Sequence, residues 1–128
     1  MPHTRKFVVH DHYASHHHFD FRLERYGVLK SWALPKGVPT KINEKRLAIP
    51  TPNHPMTWLT FHGKIPDGEY GAGTVKIADT GFYTTYKWDD AEIDFVLHGK
   101  KYKGQYYLIK TGETWLLIKG KTKMHRSD

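Results

Sequence analysis

The chain has 128 residues and no cysteine, which suits one domain with a modest core and excludes disulfide scaffolds, thiol nucleophiles and cysteine-ligated zinc. Its 20 Lys and Arg against 13 Asp and Glu give a formal charge of +7, which favours a polyanionic partner such as nucleic acid. No apolar run approaches a membrane span or a secretion signal, so we expect a soluble cytoplasmic protein.

Short extended segments dominate the chain. Most of them alternate apolar and polar residues or are rich in β-branched and aromatic residues, and most end at Gly, Pro, Asn or Asp. In chain order they cover residues 6–13, 19–26, 29–34, 46–51, 58–63, 73–79, 81–88, 92–99, 104–111 and 114–121.

Turn signals separate several of these segments, among them Tyr26-Gly27 and Thr111-Gly112-Glu113. Only residues 39–45 suggest a helical turn. The pattern predicts an all-β fold, a barrel or a sandwich of short antiparallel strands. We expect a single domain over residues 1–128, with flexible ends at 1–6 and 120–128.

The stretch HHHFDFRLE, residues 16–24, alternates between two chemically different faces, as a β-strand does. The apolar face carries His17, Phe19, Phe21 and Leu23. The polar face carries His16, His18, Asp20, Arg22 and Glu24. The apolar face is predicted to be core, and the polar face is a candidate functional site.

His12, His18 and Asp20 are candidate metal ligands. An extended chain would place all three on one face, and a turn at YASH would fold His12 beside the other two. Two imidazoles and one carboxylate suit manganese, zinc or iron and leave coordination positions open for substrate. The alternative is a solvated histidine-rich face without a metal. His16 and His17 are predicted to be bystanders.

Arg22 is a candidate phosphate ligand, because its planar fork makes two parallel charge-assisted hydrogen bonds. Glu24 would hold that guanidinium in place, or the two would form an ordinary surface ion pair. Further candidates lie at loops and strand ends, where catalytic groups tend to lie: Lys36, Arg46 and His54.

The glycine-rich stretch IPDGEYGAGTV matches neither phosphate-loop pattern, so we interpret it as a turn that opens a strand at Thr74. The four tryptophans lie within strand patterns. Trp58, four residues after His54, is expected near the site, and the other three are expected in the core.

The chain closely resembles the 3'-phosphoesterase domain of bacterial and archaeal DNA ligase D. The motifs that carry the resemblance are HDHYASHHHFDFRLERYGVLKSWALPKG, KRLAI, NHPM, GKIPDGEYGAGTVKI and WLLIKGK. The resemblance covers nearly the whole chain, roughly from Phe7 to Lys119, and several of the motifs are specific. The chain resembles the stand-alone form of the domain, so we expect a monomer that works with a separate ligase and polymerase.

The resemblance implies a single compact β-barrel with a polar active-site crevice at one mouth. It also implies a metal-dependent hydrolase that favours Mn²⁺, with Zn²⁺ or Co²⁺ as alternatives. Such an enzyme removes 3'-terminal ribonucleosides and 3'-phosphates from DNA or RNA–DNA primer-template ends. The product is the 3'-OH that ligation requires in non-homologous end joining.

The resemblance also assigns roles to residues by position. The expected metal ligands are His12, His18 and Asp20. The expected phosphate-binding and transition-state groups are Arg22, Lys36, Arg46 and His54. Glu24 is expected to support the site.

Two other functions are consistent with parts of the sequence. A non-catalytic basic β-barrel that binds nucleic acid would explain the charge but would leave His12, His18 and Asp20 without a role. An oxygenase-like barrel could hold ferrous iron on the same three residues, but it would leave Arg22 and Arg46 without a polyanion.

Overall fold

A computed structural model describes residues 3–121 of the chain. The strands are β1 (His3–Tyr13), β2 (His17–Arg25), β3 (Val28–Leu34), β4 (Lys45–Pro55), β5 (Gly63–Ile65), β6 (Gly73–Trp88), β7 (Glu92–His98), β8 (Lys103–Thr111) and β9 (Thr114–Lys119). Within the described residues the only helical segment is a 3₁₀ helix, Met56–Leu59. The all-β prediction is confirmed.

Eight of the strands close an antiparallel barrel in the order β1-β2-β3-β4-β9-β8-β7-β6, and β6 pairs back with β1. β5 lies outside this ring and pairs with the first residues of β6. The later residues of β6 pair with β7. The predicted single antiparallel barrel is therefore confirmed.

The hydrophobic core fills the interior of the barrel. The ring of Phe21 on β2 lies 5.8 Å from that of Phe95 on β7, which in turn lies 6.0 Å from that of Tyr106 on β8. Because β2 and β7 are not neighbours in the sheet, the contact between them crosses the inside of the barrel. Phe7 and Leu23 belong to the same buried cluster. The residues that alternate with them on β1 and β2 therefore point outward.

These outward-facing side chains form a second buried layer, in which His10, Asp20 and Arg22 are all buried. The 3₁₀ helix contacts β1 and β3 on this side, and the carbonyl of Phe61 lies 3.0 Å from Nε2 of His10. The polar site therefore lies on the outer face of β1–β3, not at a mouth of the barrel. The reason is the alternation itself, which directs Phe21 inward and its two neighbours outward.

Three prolines lie within β4, a strand that extends further than predicted. β4 pairs with β9 only over Lys45 to Ala48, whereas its later residues pair with β3 alone. The second half of β4 is thus an edge, where proline is tolerated because no N–H is needed on the free side. His54, predicted to lie in a loop, is instead at the end of this strand, opposite Leu29.

Three local predictions were wrong. The predicted segments 73–79 and 81–88 are one strand, β6. Gly81 does not end it: a Cβ there would lie 2.6 Å from the carbonyl oxygen of His98, so glycine permits a close backbone approach. Residues 39–44 form a loop with a turn and no helix, residue 45 begins β4, and the predicted strand at 58–63 begins within the 3₁₀ helix.

The predicted flexible ends lie partly outside the described residues, which exclude 1–2 and 122–128. Residues 3–6 belong to β1 and pair with β6. The backbone N–H of Gly120 donates to the carbonyl of Gln105. The described parts of both ends are therefore held by backbone hydrogen bonds.

Candidate active site

The three predicted metal ligands converge on two neighbouring strands. His12 of β1 lies directly opposite His18 of β2, and Asp20 is two residues further along β2 on the same face. One ligand atom from each residue lies within 4.8 Å of the other two. The chain turns over residues 14–16 between the strands. Of the two routes considered from the sequence, the turn is the one that brings His12 to the pair.

Backbone carbonyls fix the orientation of both imidazoles. Nε2 of His12 lies 2.7 Å from the carbonyl oxygen of Gly71, and Nδ1 of His18 lies 2.8 Å from that of His16. Since a carbonyl only accepts, these two nitrogens carry the protons and the other nitrogen of each neutral ring is bare. The bare nitrogens lie 3.0 Å and 3.2 Å from the two carboxylate oxygens of Asp20.

This arrangement places acceptors opposite acceptors, and it is satisfied either by a second proton on each ring or by a cation shared with Asp20. The donor set of two imidazoles and one carboxylate is one that manganese, zinc and iron accept. Fixing each ring through its outer nitrogen is also a usual feature of histidine ligands. The residues present therefore fit a divalent metal ion.

The ionisation of the ligands is coupled to their contacts. Burial by itself would raise the pKa of Asp20, but the hydrogen bond with His18 and the positive charge of Arg22 outweigh it, and the pKa is lowered. The hydrogen bond to Asp20 raises the pKa of His18, although burial opposes this shift. Asp20 is therefore a carboxylate at neutral pH.

Arg22 is only 4% exposed, and its guanidinium is held on several sides. Nε donates to Nδ1 of His10 at 3.2 Å, and Nη1 donates to Oγ of Ser31 at 2.9 Å. Nη2 lies 3.5 Å from Oδ2 of Asp20, and Nη1 lies 3.1 Å from Nδ1 of His54. Burial lowers the pKa of Arg22, and the charge of Asp20 opposes that shift. The result is a rigid cation beside the three potential ligands.

His10 is a site residue that the sequence reasoning missed. It is fully buried, and its Nδ1 accepts from Arg22 while its Nε2 donates to the carbonyl of Phe61 at 3.0 Å. Burial and the nearby charge of Arg22 lower its pKa to about 4, so the ring is neutral at neutral pH. The available signal was its alternation with His12, because both must lie on one face of β1.

His54 reaches the same cluster from the end of β4. Its Nδ1 lies 2.8 Å from the carbonyl oxygen of Pro52 and close to Arg22. Burial and the charge of Arg22 lower its pKa. Trp58 packs edge-on against the ring at a centroid distance of 4.9 Å, as expected from its spacing. Among the described residues, Nε2 of His54 has no hydrogen-bond partner.

A cavity of about 300 Å³ opens at this cluster, and we call it the crevice. Its polar wall carries the three potential ligands with Arg22, Thr51 and His54. The rest of the lining is mostly apolar. It consists of Ala14, Ala33, Trp58, Ile65, Tyr70, Gly71 and Val75.

Three predicted site residues do not line the crevice. An Oε1 atom of Glu24 accepts from the backbone N–H of Lys6, so Glu24 does not hold Arg22 as predicted. Nη1 of Arg46 donates to the carbonyl of Lys36, and its Nη2 donates to Glu44 at 2.7 Å. Lys36, in the turn that follows β3, and Arg46, near the start of β4, are thus close to each other.

A family model for the DNA Ligase D 3'-phosphoesterase domain matches residues 10–110 of the chain. The match covers most of the chain and includes every residue of the polar wall. This chain belongs to the DNA ligase D 3'-phosphoesterase domain family. The resemblance inferred from the motifs is thereby confirmed.

Several curated proteins are similar to this phosphoesterase-family chain. It is 50% identical over 115 residues to the multifunctional non-homologous end joining protein LigD of Mycobacterium bovis, an alignment of 86% of this chain and 15% of that protein. It is 49% identical over 123 residues to LigD of Mycolicibacterium smegmatis, covering 87% and 16%. It is 39% identical over 132 residues to LigD of Pseudomonas aeruginosa, covering 95% and 16%.

The phosphoesterase-family chain thus spans about 15% of the length of the curated relatives it matches. Over residues 3–121, no helix is both long and apolar enough to span a bilayer.

Proposed function

We propose that this protein is a metal-dependent phosphoesterase that heals DNA 3' ends during non-homologous end joining. It removes 3'-phosphates and 3'-terminal ribonucleosides from primer-template ends and leaves a 3'-OH. Hydrolysis of the phosphomonoester consumes one water, breaks the bond between phosphorus and the 3' oxygen, and releases inorganic phosphate. The proposal rests on the family and on one observation, the bare imidazole nitrogens that face Asp20 beside the Arg22 guanidinium.

His12, His18 and Asp20 would hold the metal, which we propose to be Mn²⁺, with Zn²⁺ or Co²⁺ as alternatives. A bound divalent cation neutralises phosphate charge and orients the phosphate. The protein's own contribution is to keep the rings of His12 and His18 turned toward Asp20, through the carbonyls of Gly71 and His16.

Arg22 is the proposed ligand for non-bridging phosphate oxygens. Its guanidinium is fixed before substrate arrives, so little reorganisation is needed as charge develops on the phosphoryl group. Loss of one such donor typically removes about 3 to 4 kcal/mol of transition-state stabilisation. His10 and Ser31 hold the guanidinium from behind and act as positioning residues.

His54 is the proposed proton donor. Its Nδ1 is engaged by Pro52 and Arg22, which leaves Nε2 for the substrate. Because Nδ1 donates to the carbonyl of Pro52, a proton on Nε2 requires the imidazolium form, which the negative phosphate would favour against the lowered pKa of the ring. That proton serves either protonation of the departing 3' oxygen or a hydrogen bond to the phosphate. General acid catalysis of this kind contributes about 10²–10⁴-fold. His54→Ala is therefore expected to be severely impaired.

Lys36 and Arg46 stay proposed phosphate-binding residues. Since neither lines the crevice, we propose that they bind backbone phosphates of the DNA beside it, where contacts position the substrate without reading its sequence. The formal charge of +7 is consistent with a DNA or RNA–DNA partner. A ligase and a polymerase would be supplied as separate partners.

The test compares a duplex end carrying a 3'-phosphate with the same end carrying a 3'-OH or a 3'-terminal ribonucleoside, with Mn²⁺ and with EDTA. We expect phosphate release and a new 3'-OH only from the modified ends and only with the metal. Equal processing in EDTA would contradict the metal role. Tight DNA binding without any processing would favour the non-catalytic basic barrel.

A further inference from the structure

The polar wall of the crevice accounts for a phosphate and a metal ion but not for the rest of a nucleotide. The rest of the lining forms a mostly apolar wall that includes Ile65, Tyr70, Gly71 and Val75. It offers apolar and aromatic surface to whatever enters. A cavity of about 300 Å³ is at the small end of ligand pockets, so only the terminal residue of a strand would be enclosed.

Tyr70 is the unusual member of this wall, because it lines the crevice and is nevertheless 76% exposed. Its hydroxyl has no hydrogen-bond partner among residues 3–121. Its ring is also absent from the aromatic stacks found within those residues. A large, exposed aromatic ring at the rim of a polar site offers a free π face to a ligand that enters the site.

Hydrogen bonds hold the backbone around Tyr70. The N–H of Glu69 donates to the carbonyl of Pro66 at 3.2 Å, and the N–H of Ala72 donates to that of Glu69 at 3.1 Å. The carbonyl of the next residue, Gly71, accepts from His12, one of the proposed metal ligands. Gly71 has a φ of +76°, which glycine adopts without strain. The backbone at Tyr70 is therefore tied to the proposed metal ligands through the adjacent Gly71.

We propose that Tyr70 is a stacking platform for the 3'-terminal base of the substrate strand. The proposal rests on the proposed function, since it takes the phosphate of that terminal nucleotide to lie against Arg22. The sugar would contact Ile65 and Val75, and the base would leave the crevice across the Tyr70 ring. Every base has a π face, so such a contact would tolerate any terminal base.

A second role for Tyr70 is distinguishable. Tyr70 lies near enough to Arg22 to raise its pKa, although burial and the charge of Asp20 have larger effects on that pKa. A hydroxyl in that position could instead bind the phosphate. Tyr70→Phe removes only the hydroxyl, whereas Tyr70→Ala removes the ring, and an end whose terminal residue is abasic keeps the phosphate but lacks the base.

The experiment measures 3'-phosphate release from normal and abasic 3'-phosphorylated ends with Mn²⁺. We expect Tyr70→Ala to raise KM for the normal end by about 5- to 150-fold, the range for loss of one base–aromatic stack, and to change KM more than kcat. Tyr70→Phe should keep the low KM. On the abasic end, wild type and Tyr70→Ala should have the same raised KM.

Tyr26 provides the control, because it is 83% exposed and does not line the crevice. Tyr26→Ala should match wild type on both ends. Three results would overturn the proposal: Tyr70→Ala equal to wild type on the normal end, an equal loss on both ends, or a Tyr70→Phe variant as impaired as Tyr70→Ala.

Binding of the same ends, measured by fluorescence anisotropy in EDTA, separates this inference from the proposed function. If wild type releases no phosphate but still prefers the normal end, and Tyr70→Ala abolishes that preference, the platform stands and the enzymatic proposal fails. If wild type releases phosphate and shows no preference for a terminal base, the platform is wrong and the enzymatic proposal stands.

Discussion

Nδ1 of His12 lies 3.0 Å from Oδ2 of Asp20 while Nε2 of the same ring faces the carbonyl of Gly71 at 2.7 Å. In a neutral ring the nitrogen that faces Asp20 has no proton to offer, so two acceptors meet. Either a second proton on the ring or a divalent cation shared with Asp20 relieves that contact, and the donor set of two imidazoles and a carboxylate is one that divalent metals accept.

Removing one ring of this set should abolish both metal binding and catalysis. For His18→Ala we expect loss of Mn²⁺ binding, as measured by titration calorimetry. We also expect loss of 3'-phosphate release in Mn²⁺ buffer. The matched control is His16→Ala, which removes an exposed imidazole but keeps the carbonyl that orients His18. A His18→Ala protein with a near-wild-type rate would refute the metal assignment.

His10 should act on the reaction through Arg22. Glutamine offers an acceptor for Arg22 and a donor for the Phe61 carbonyl, so His10→Gln should keep most of the activity. His10→Leu offers neither the acceptor nor the donor. Its kcat should fall by about 10²-fold, the effect that a misplaced guanidinium can have. Rates are compared at matched thermal stability. If both variants have the same kcat, the positioning role is wrong.

Gly73 should be necessary for packing β6 against β1. A Cβ there would lie 2.2 Å from the carbonyl oxygen of Tyr13, and the residue has a φ of +129°. Gly73→Ala should therefore lower the free energy of unfolding by about 3 kcal/mol. At Gly112, with a φ of +74° and open space around it, alanine should cost only about 1 kcal/mol. Urea denaturation of the two variants checks this, and equal losses would contradict the steric account.

Asp94 should make stability depend on pH. Burial and its contact with Glu92 raise its pKa from 3.8 to about 6, while the pKa of Glu92 is lowered by its contacts with Asp94 and Lys87. A carboxyl group with a raised pKa stabilises the fold at pH values below its ordinary pKa of 3.8. That stability is lost as the pH rises through about 6. Because Asp94 is only partly buried, we expect about 1 kcal/mol after allowance for screening.

Asp94→Asn isolates this contribution, since an amide does not titrate. Between pH 4 and pH 7, the free energy of unfolding of wild type should fall relative to that of the variant, as measured by urea denaturation. A constant difference across that range would show that Asp94 has an ordinary pKa.

DNA binding should be mainly electrostatic and nearly independent of sequence. The logarithm of the association constant is expected to fall linearly with the logarithm of the salt concentration, as bound phosphates release counterions. Lys36→Ala and Arg46→Ala should each reduce that slope by about one. Affinity that stays flat from low to high salt would contradict this prediction.

The sequence was most informative where one strand carries the chemistry. Alternation along residues 16–24 was enough to separate Phe21 from Asp20 and Arg22, because the period of a strand is fixed by backbone geometry. Glu24 shows the limit of that reasoning. It shares the polar face, but which side chain Arg22 contacts depends on what packs over the strand, and here that is His10 and His54.

Sequence alone determined the all-β class, the absence of thiol chemistry, the net positive charge and the three residues that would hold a metal. These follow from composition, a two-residue period and motifs that are local along the chain. Only the tertiary structure decided that the site lies on the outer face of the barrel and that Gly71, 59 positions after His12, orients its ring. Contacts between distant segments depend on barrel closure and on the path of residues 56–72, and no local pattern encodes either.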